Sequence, residues 1–422
     1  MTERNPEATA RWKIAAAAVA VHLSIGSVYA WSVFVKPLGT LHGWSRPAVT
    51  GTFSVAIVML GLSAAFGGSW MERVGPRRSV LLSAGCFGLG LAGAGLASHI
   101  GSLPLLYASY GGIGGIGLGL GYVPPVSALL KWFPDRRGLA TGIAVCGFGA
   151  GALVAGPVAT WLIVALGVPM TFWTFAGAYF AVILIASQVL QVPRADWRPK
   201  GWKPTAAVAR ARAARDHALG EALRTPQFWL LWGLFFINIS AGIMLISLAS
   251  PMAQELVGMT AAQAGLMVGM MGIFNGAGRI AWSATSDVIG RTTTFGSMFV
   301  LQIALFAMLS RTTNAFAFQA MFFLILTCYG GGFATCPAFI ADLFGTAHVG
   351  AIYGVALTAW SAAGFLGPTL GAFMRERMGS YAPALYGACG MLVLALGFTA
   401  IISVRLGRMA SPASAETTLA ES

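Results

Sequence analysis

Apolar runs long enough to cross a bilayer follow one another from Ile14 to Val404. A transmembrane helix needs about 20 apolar residues to span the hydrocarbon, and this chain repeats such runs with mostly short polar breaks. Composition agrees: 57% of the 422 residues are hydrophobic and 9% are charged, against roughly 25% charged in soluble domains. A water-soluble core is excluded, because no polar face is left to meet water. A β-barrel is excluded, because the apolar runs are continuous rather than alternating. The expected fold class is an all-α polytopic membrane protein.

Twelve spans are expected, at 14–36, 48–68, 79–99, 103–130, 138–166, 169–192, 227–254, 262–284, 293–310, 315–341, 349–374 and 381–404. The first lies behind Arg4, Arg11 and Lys13, a flank that a signal peptide would share. However, "IAAAAVAVHLSIGSVYAWSVFV" is long enough to span and shows no small-residue cleavage site, so it is read as a crossing. An even count puts both termini on one side. With that side cytoplasmic, twenty Lys/Arg lie in inside segments and five (Lys36, Arg46, Arg311, Arg375, Arg377) in outside loops. This positive-inside bias places both termini in the cytoplasm. The formal charge of +13 is therefore read as topology rather than nucleic-acid binding.

Other chemistries find little support. The five cysteines are scattered through apolar segments without CxxC spacing, so neither a disulfide framework nor a metal site is expected. "GGIGGIGLGLG" (111–121) has glycine spacings of a nucleotide loop but lies inside a span, where close helix packing explains it better. No cluster of acid, base, nucleophile or ligand suggests an enzyme, and no cofactor is expected.

The chain repeats itself. "GSWMERVGPRR" (68–78) follows the second span and "SATSDVIGR" (283–291) the eighth, matching Glu72 and Gly75 with Asp287 and Gly290. "WFPDRRGLATGIAVCGFGAGALVAGP" ends at Pro157, and "LFGTAHVGAIYGVALTAWSAAGFLGP" ends 211 residues later at Pro368. A duplicated six-helix unit follows, an architecture of transporters. The expected division is 1–192, a six-helix half; 193–226, a cytoplasmic linker; 227–404, a second six-helix half; and 405–422, a tail. Within the linker, "AAVARARAARDHALGEALR" favours a helix, either a solvated connector or a basic face for lipid headgroups. "VPPV" (123–126) should bend the fourth span, and Pro337 repeats the bend.

One residue breaks the apolar pattern. Arg279, in "GIFNGAGRIAW", is alone among 26 basic residues in lying well inside a span. A charge at the bilayer centre costs at least about 2.5–3.5 kcal/mol. Asp287 is eight residues on, about 12 Å along a helix, so snorkelling toward the interface is one explanation. The other is a ligand. No Asp or Glu lies deep in a span to balance the guanidinium, and a guanidinium fork suits a carboxylate. His22, inside the first span, either carries a coupling proton or is a neutral histidine bonded between helices.

The loop Glu72, Arg73, Gly75, Arg77, Arg78 resembles the signature of the major facilitator superfamily, with Glu where Asp is usual. Asp287, Gly290 and Arg291 repeat it. Such loops imply a latch, a carboxylate that pairs with arginine and caps a neighbouring helix. "LRTPQFWLLW" (223–232), "LKWFPDRRG" (130–138), "NGAGR" (275–279) and "ADLFGTA" (341–347) are similar to the oxalate/formate antiporter family, relatives of the monocarboxylate (lactate/pyruvate) transporters. The resemblance runs from about Ala15 to Gly407.

The resemblance implies a transporter with two pseudo-symmetric halves. Arg279 stands at the arginine that binds substrate carboxylate, with Asn275 one turn before it. Animal monocarboxylate transporters often have Asp at the Asn275 position. Tyr29 and Tyr122 match pocket aromatics. Tyr329 takes the place of a tryptophan, and Phe333 that of a tyrosine. Trp360 stands where oxalate exchangers carry a second cation, so one substrate carboxylate is expected rather than two. The expected function is proton-coupled symport of lactate- or pyruvate-like monocarboxylates. Anion exchange is the alternative, and a carboxylate sensor a more distant one. The expected setting is a bacterial inner membrane, with a monomer as the functional unit and the bilayer as partner.

Overall fold

The computed structural model describes residues 6–194, 197–199 and 216–409, and among these all regular structure is helical. Ten helices are long and apolar enough to cross a membrane. One of them, Gly51–Ile100, is 50 residues long and turns at Gly75, which takes φ 82° and ψ 165°. Only glycine enters that region without strain, and Pro76 follows it, so this helix makes two crossings. The helix Ala261–Ile289 has 29 residues, enough to cross, but its polar content around Arg279 keeps its hydropathy low. The expected twelve crossings are thus all present as helices.

Several crossings depart from regular helix. The first passes through a 3-10 turn at Gly26–Trp31, which carries Tyr29. The fourth contains a π-helical stretch at Tyr107–Gly114 before continuing as Gly115–Trp132. The eleventh is divided at Leu357 into Val349–Ala356 and Thr358–Met378. The fourth and the tenth, Ala315–Phe344, each carry internal prolines. A proline removes the N–H that would bond the carbonyl four residues earlier. Pro124 thus orphans the Leu120 carbonyl, which accepts instead from Ser79 Oγ at 3.1 Å. Pro337 orphans the Phe333 carbonyl, and Tyr353 Oη on the eleventh crossing donates to it at 3.4 Å.

Most of the proposed linker helix, 206–215, lies outside the described residues, as do residues 1–5 and the tail from 410. The described end of the linker forms a five-residue helix, Leu219–Leu223. Just before it, Asp216 is docked on the turn between the tenth and eleventh crossings. Its Oδ1 accepts from the backbone N–H of Thr346 at 3.0 Å and of Ala347 at 3.3 Å. His217 N–H donates to the Phe344 carbonyl at 3.1 Å. Gly345 in this turn has φ 83°, and the Asp216 carboxylate occupies the space a Cβ there would need.

The fifth crossing, Arg137–Leu166, packs along the eighth. Gly149 and Gly276 face each other at their contact: a Cβ on Gly149 would lie 3.3 Å from the Gly276 Cα. Small residues let membrane helices approach this closely. The approach brings residues from the first six crossings within reach of Arg279.

Candidate substrate site

Arg279 does not snorkel; its side chain is fully buried. Its Nε donates to Asn275 Oδ1 at 3.2 Å, one turn earlier on the same helix. Its Nη1 crosses to the fifth crossing and donates to the Val145 carbonyl at 3.0 Å. Its Nη2 is buried and makes no hydrogen bond of good geometry, with the Tyr122 hydroxyl close to the guanidinium. Among the described residues no carboxylate forms an ion pair with it. Phe333 and Phe148 stand beside the guanidinium carbon, at 5.1 and 5.9 Å from ring centroid to Cζ. A cation over an aromatic face gains about 0.5–2 kcal/mol, which compensates a desolvated arginine only in part.

The other expected residues gather around the same point. Tyr29 and Tyr122 each meet the Phe148 ring edge-on at 5.1 Å. Trp360 is 5.6 Å from Phe148, 5.8 Å from Tyr122 and 4.7 Å from Phe333. Tyr329 packs edge-on to Phe333 at 5.2 Å. The hydroxyls of Tyr122, Tyr29, Tyr329 and Tyr353 are electrostatic neighbours of Arg279. Three of those hydroxyls, on Tyr29, Tyr122 and Tyr329, and Trp360 Nε1 are buried and make no hydrogen bond of good geometry, their polar neighbours being one another and Arg279. Buried polar groups left unpaired cost about 1–3 kcal/mol each. Several donors left open around one guanidinium form a cradle for an anion.

Two members of the cluster were not among the expected residues. Phe148, on the fifth crossing, is its hub, touching Tyr29, Tyr122, Trp360 and Arg279. Tyr353 lies 6.3 Å from Tyr122 and ties the eleventh crossing to the tenth through the Phe333 carbonyl. A phenylalanine in an apolar helix carries no mark of its role. The orphan carbonyl that Pro337 creates does signal that some donor is needed, without saying which.

His22 sits behind this cage, fully buried, with its ring 5.1 Å from that of Tyr122. Its Nε2 is 3.0 Å from the Tyr122 carbonyl. A carbonyl only accepts, so Nε2 carries hydrogen. Its Nδ1 is buried without a hydrogen bond of good geometry, and the Ala144 backbone also lies within reach of the ring.

At one face of the bundle, the two loop carboxylates cap helices of the opposite repeat. Glu72 Oε1 accepts from Gly350 N–H at 2.6 Å, at the start of the eleventh crossing. Asp287 accepts from Gly138 and Leu139 N–H at 2.9 and 3.0 Å, at the start of the fifth. Carboxylates belong at helix N-termini, where N–H groups lack partners. Arg291 pairs with Asp287 at 2.7 Å and with Asp342 at 2.9 Å, and Arg137 reaches Asp342 at 2.7 Å. Thr141 Oγ1 donates to the Ala334 carbonyl at 2.7 Å. Apart from the two Arg291 pairs, which lie within the last six crossings, these contacts join the first six crossings to the last six. Arg77 donates to Gln188 of the sixth crossing, whereas Arg73 is exposed.

A membrane bundle of twelve helices, with a buried cation at its centre and paired charged caps at one face, is the form of a secondary transporter. The family model of the Major Facilitator Superfamily matches residues 17–368, and the chain belongs to that superfamily, in its oxalate/formate antiporter and monocarboxylate branch. It is 30% identical to the oxalate:formate antiporter of Oxalobacter formigenes over 402 residues, 94% of this chain and 93% of that one. It is 25% identical to monocarboxylate transporter 11 of Mus musculus, covering 92% of this chain and 86% of that one. Among solved structures it resembles the human organic anion transporter MFSD10, with TM-score 0.71, 15% identity and coverage of 94% and 100%. At that identity the likeness concerns the fold.

Proposed function

We propose that this protein carries small organic anions across its membrane by alternating access, exchanging one carboxylate for another. The observation that carries the proposal is the wholly buried Arg279, with neutral acceptors on Nε and Nη1 and an open Nη2. The cargo carboxylate would take Nη2, with the hydroxyls of Tyr29, Tyr122 and Tyr329 closing around it, Asn275 orienting the guanidinium, and Phe333 and Trp360 packing the remainder. Neutral Trp360 gives the site one fixed cation, which suits a monocarboxylate such as lactate or pyruvate. The halves 1–192 and 227–404, joined by 193–226, would rock about this point, with both termini in the cytoplasm of a bacterial cell and the protein in its inner membrane.

Exchange rather than symport is favoured by the antiporter's similarity and by electrostatics. Without its anion, Arg279 keeps a desolvated positive charge during the return step, and a counter-substrate removes that cost. Proton symport is the second reading, because His22 is a titratable group buried directly against Tyr122.

The test is counterflow in proteoliposomes with labelled acetate, lactate and oxalate. Uptake should require internal anion. Uptake into anion-free vesicles under an inward proton gradient would overturn exchange in favour of symport. Arg279→Ala should abolish counterflow. Arg279→Lys should weaken affinity at least tenfold, because a hydrogen bond to a charged group contributes about 1.5–3 kcal/mol. Full affinity in Arg279→Ala would remove the proposed site.

A further inference from the structure

The tenth crossing carries three consecutive glycines, Gly330, Gly331 and Gly332, between two aromatics of the site, Tyr329 and Phe333. Each glycine meets a different neighbour. Gly330 lies against Asn275 and Arg279, and Gly331 against the Trp282 ring. Gly332 lies against the side-chain amide of Asn238. A glycine costs a helix about 1 kcal/mol relative to alanine, so this stretch has little stiffness of its own. Its setting is decided by what packs on it.

Three of those neighbours, Asn275, Arg279 and Trp282, come from the eighth crossing and belong to the site or its margin. Asn238 comes from the seventh, Pro226–Val257, and has no part in the cage. It is fully buried, and its Nδ2 lies 3.4 Å from the Tyr329 carbonyl and 3.5 Å from that of Cys328. Its Oδ1 accepts from Gln302 Nε2 at 3.0 Å. Gln302, on the ninth crossing Arg291–Leu309, is also fully buried, and its Oε1 has no hydrogen-bond partner. Side-chain hydrogen bonds between membrane helices contribute only about 0.6 kcal/mol on average. An unsatisfied buried carbonyl costs more than that. Helix adhesion alone therefore does not account for this pair.

We infer that Gln302 and Asn238 are positioning residues for Tyr329. Gln302 occupies the Asn238 oxygen, which leaves the Asn238 NH2 to face the tenth crossing. That NH2 lies at the Tyr329 carbonyl, one turn from Gly242 of the same helix, on which the Tyr329 ring packs. The backbone of a glycine-softened helix is thereby fixed at the residue whose hydroxyl opens toward Arg279. The inference rests on the proposal that Tyr329 binds cargo.

A double-mutant cycle separates positioning from general stability. Half-saturating concentration and maximal rate are measured in counterflow, for whichever of acetate, lactate and oxalate is carried, in Gln302→Met, Tyr329→Phe and the double variant. Gln302→Met should raise the half-saturating concentration about fivefold and leave the maximal rate within twofold. In the Tyr329→Phe background the same substitution should have no further effect. Multiplying effects in the double variant, or an unchanged half-saturating concentration in Gln302→Met, would overturn the inference. An unaltered Tyr329→Phe transporter would instead sink the role of Tyr329 itself. Should Gln302→Met fail to fold, Asn238→Ser makes the same comparison, since serine is too short to reach the Tyr329 carbonyl.

Discussion

Arg279 shows what one residue in a sequence can and cannot disclose. Its presence in an apolar run marked a ligand or an interface, and the absence of a deep carboxylate pointed to an anion from outside the chain. The sequence could not show that a backbone carbonyl, Val145, shares the guanidinium. Every helical residue has a carbonyl, and only the close approach at Gly149 and Gly276 makes this one available. Trp360 offers a test at the same scale. Its Nε1 is buried near the Tyr329 hydroxyl without a hydrogen bond of good geometry, while its ring packs on Phe333 and Phe148. Trp360→Phe removes the donor and keeps an aromatic ring. The half-saturating concentration in counterflow should rise about fivefold, corresponding to roughly 1 kcal/mol for one hydrogen bond. No change would mean that the indole N–H does not face cargo.

The helices were legible because each obeys one strong rule, the length of an apolar run. Their interruptions were partly legible. Proline fixed where the fourth and tenth crossings lose a hydrogen bond. Nothing local in the sequence marked the 3-10 turn at Gly26–Trp31 or the break at Leu357, which depend on what packs beside them. The tenth crossing gives a prediction of its own. Tyr353→Phe leaves the Phe333 carbonyl without the donor it has now, and should cost about 1–2 kcal/mol, read as a lower melting temperature in detergent. Adding Pro337→Ala supplies a backbone N–H to that same carbonyl. The double variant should therefore melt above Tyr353→Phe alone. If it melts at the same temperature or lower, Tyr353 does not serve the orphan carbonyl.

In the whole molecule the internal repeat announced the paired caps, and the structure adds where they land: each carboxylate caps a helix in the opposite set of six. Both ties must part if the face that bears these caps is to open. Asp287→Asn should weaken one of them and raise the population open on that face. Cys336 is a native reporter, fully buried beside Tyr122 and Tyr353. With the other four cysteines replaced by alanine, a membrane-impermeant thiol reagent on that face should label Cys336 several-fold faster in Asp287→Asn than in the parent. Equal rates would show that this cap does not hold the face shut.

The docking of Asp216 has a mechanical consequence. The turn it grips also presents Asp342 on one side and Gly350 on the other, the two attachment points for Arg137 and Glu72. The described end of the connector, at Asp216 and His217, is therefore tied to the same turn that anchors Arg137 and Glu72.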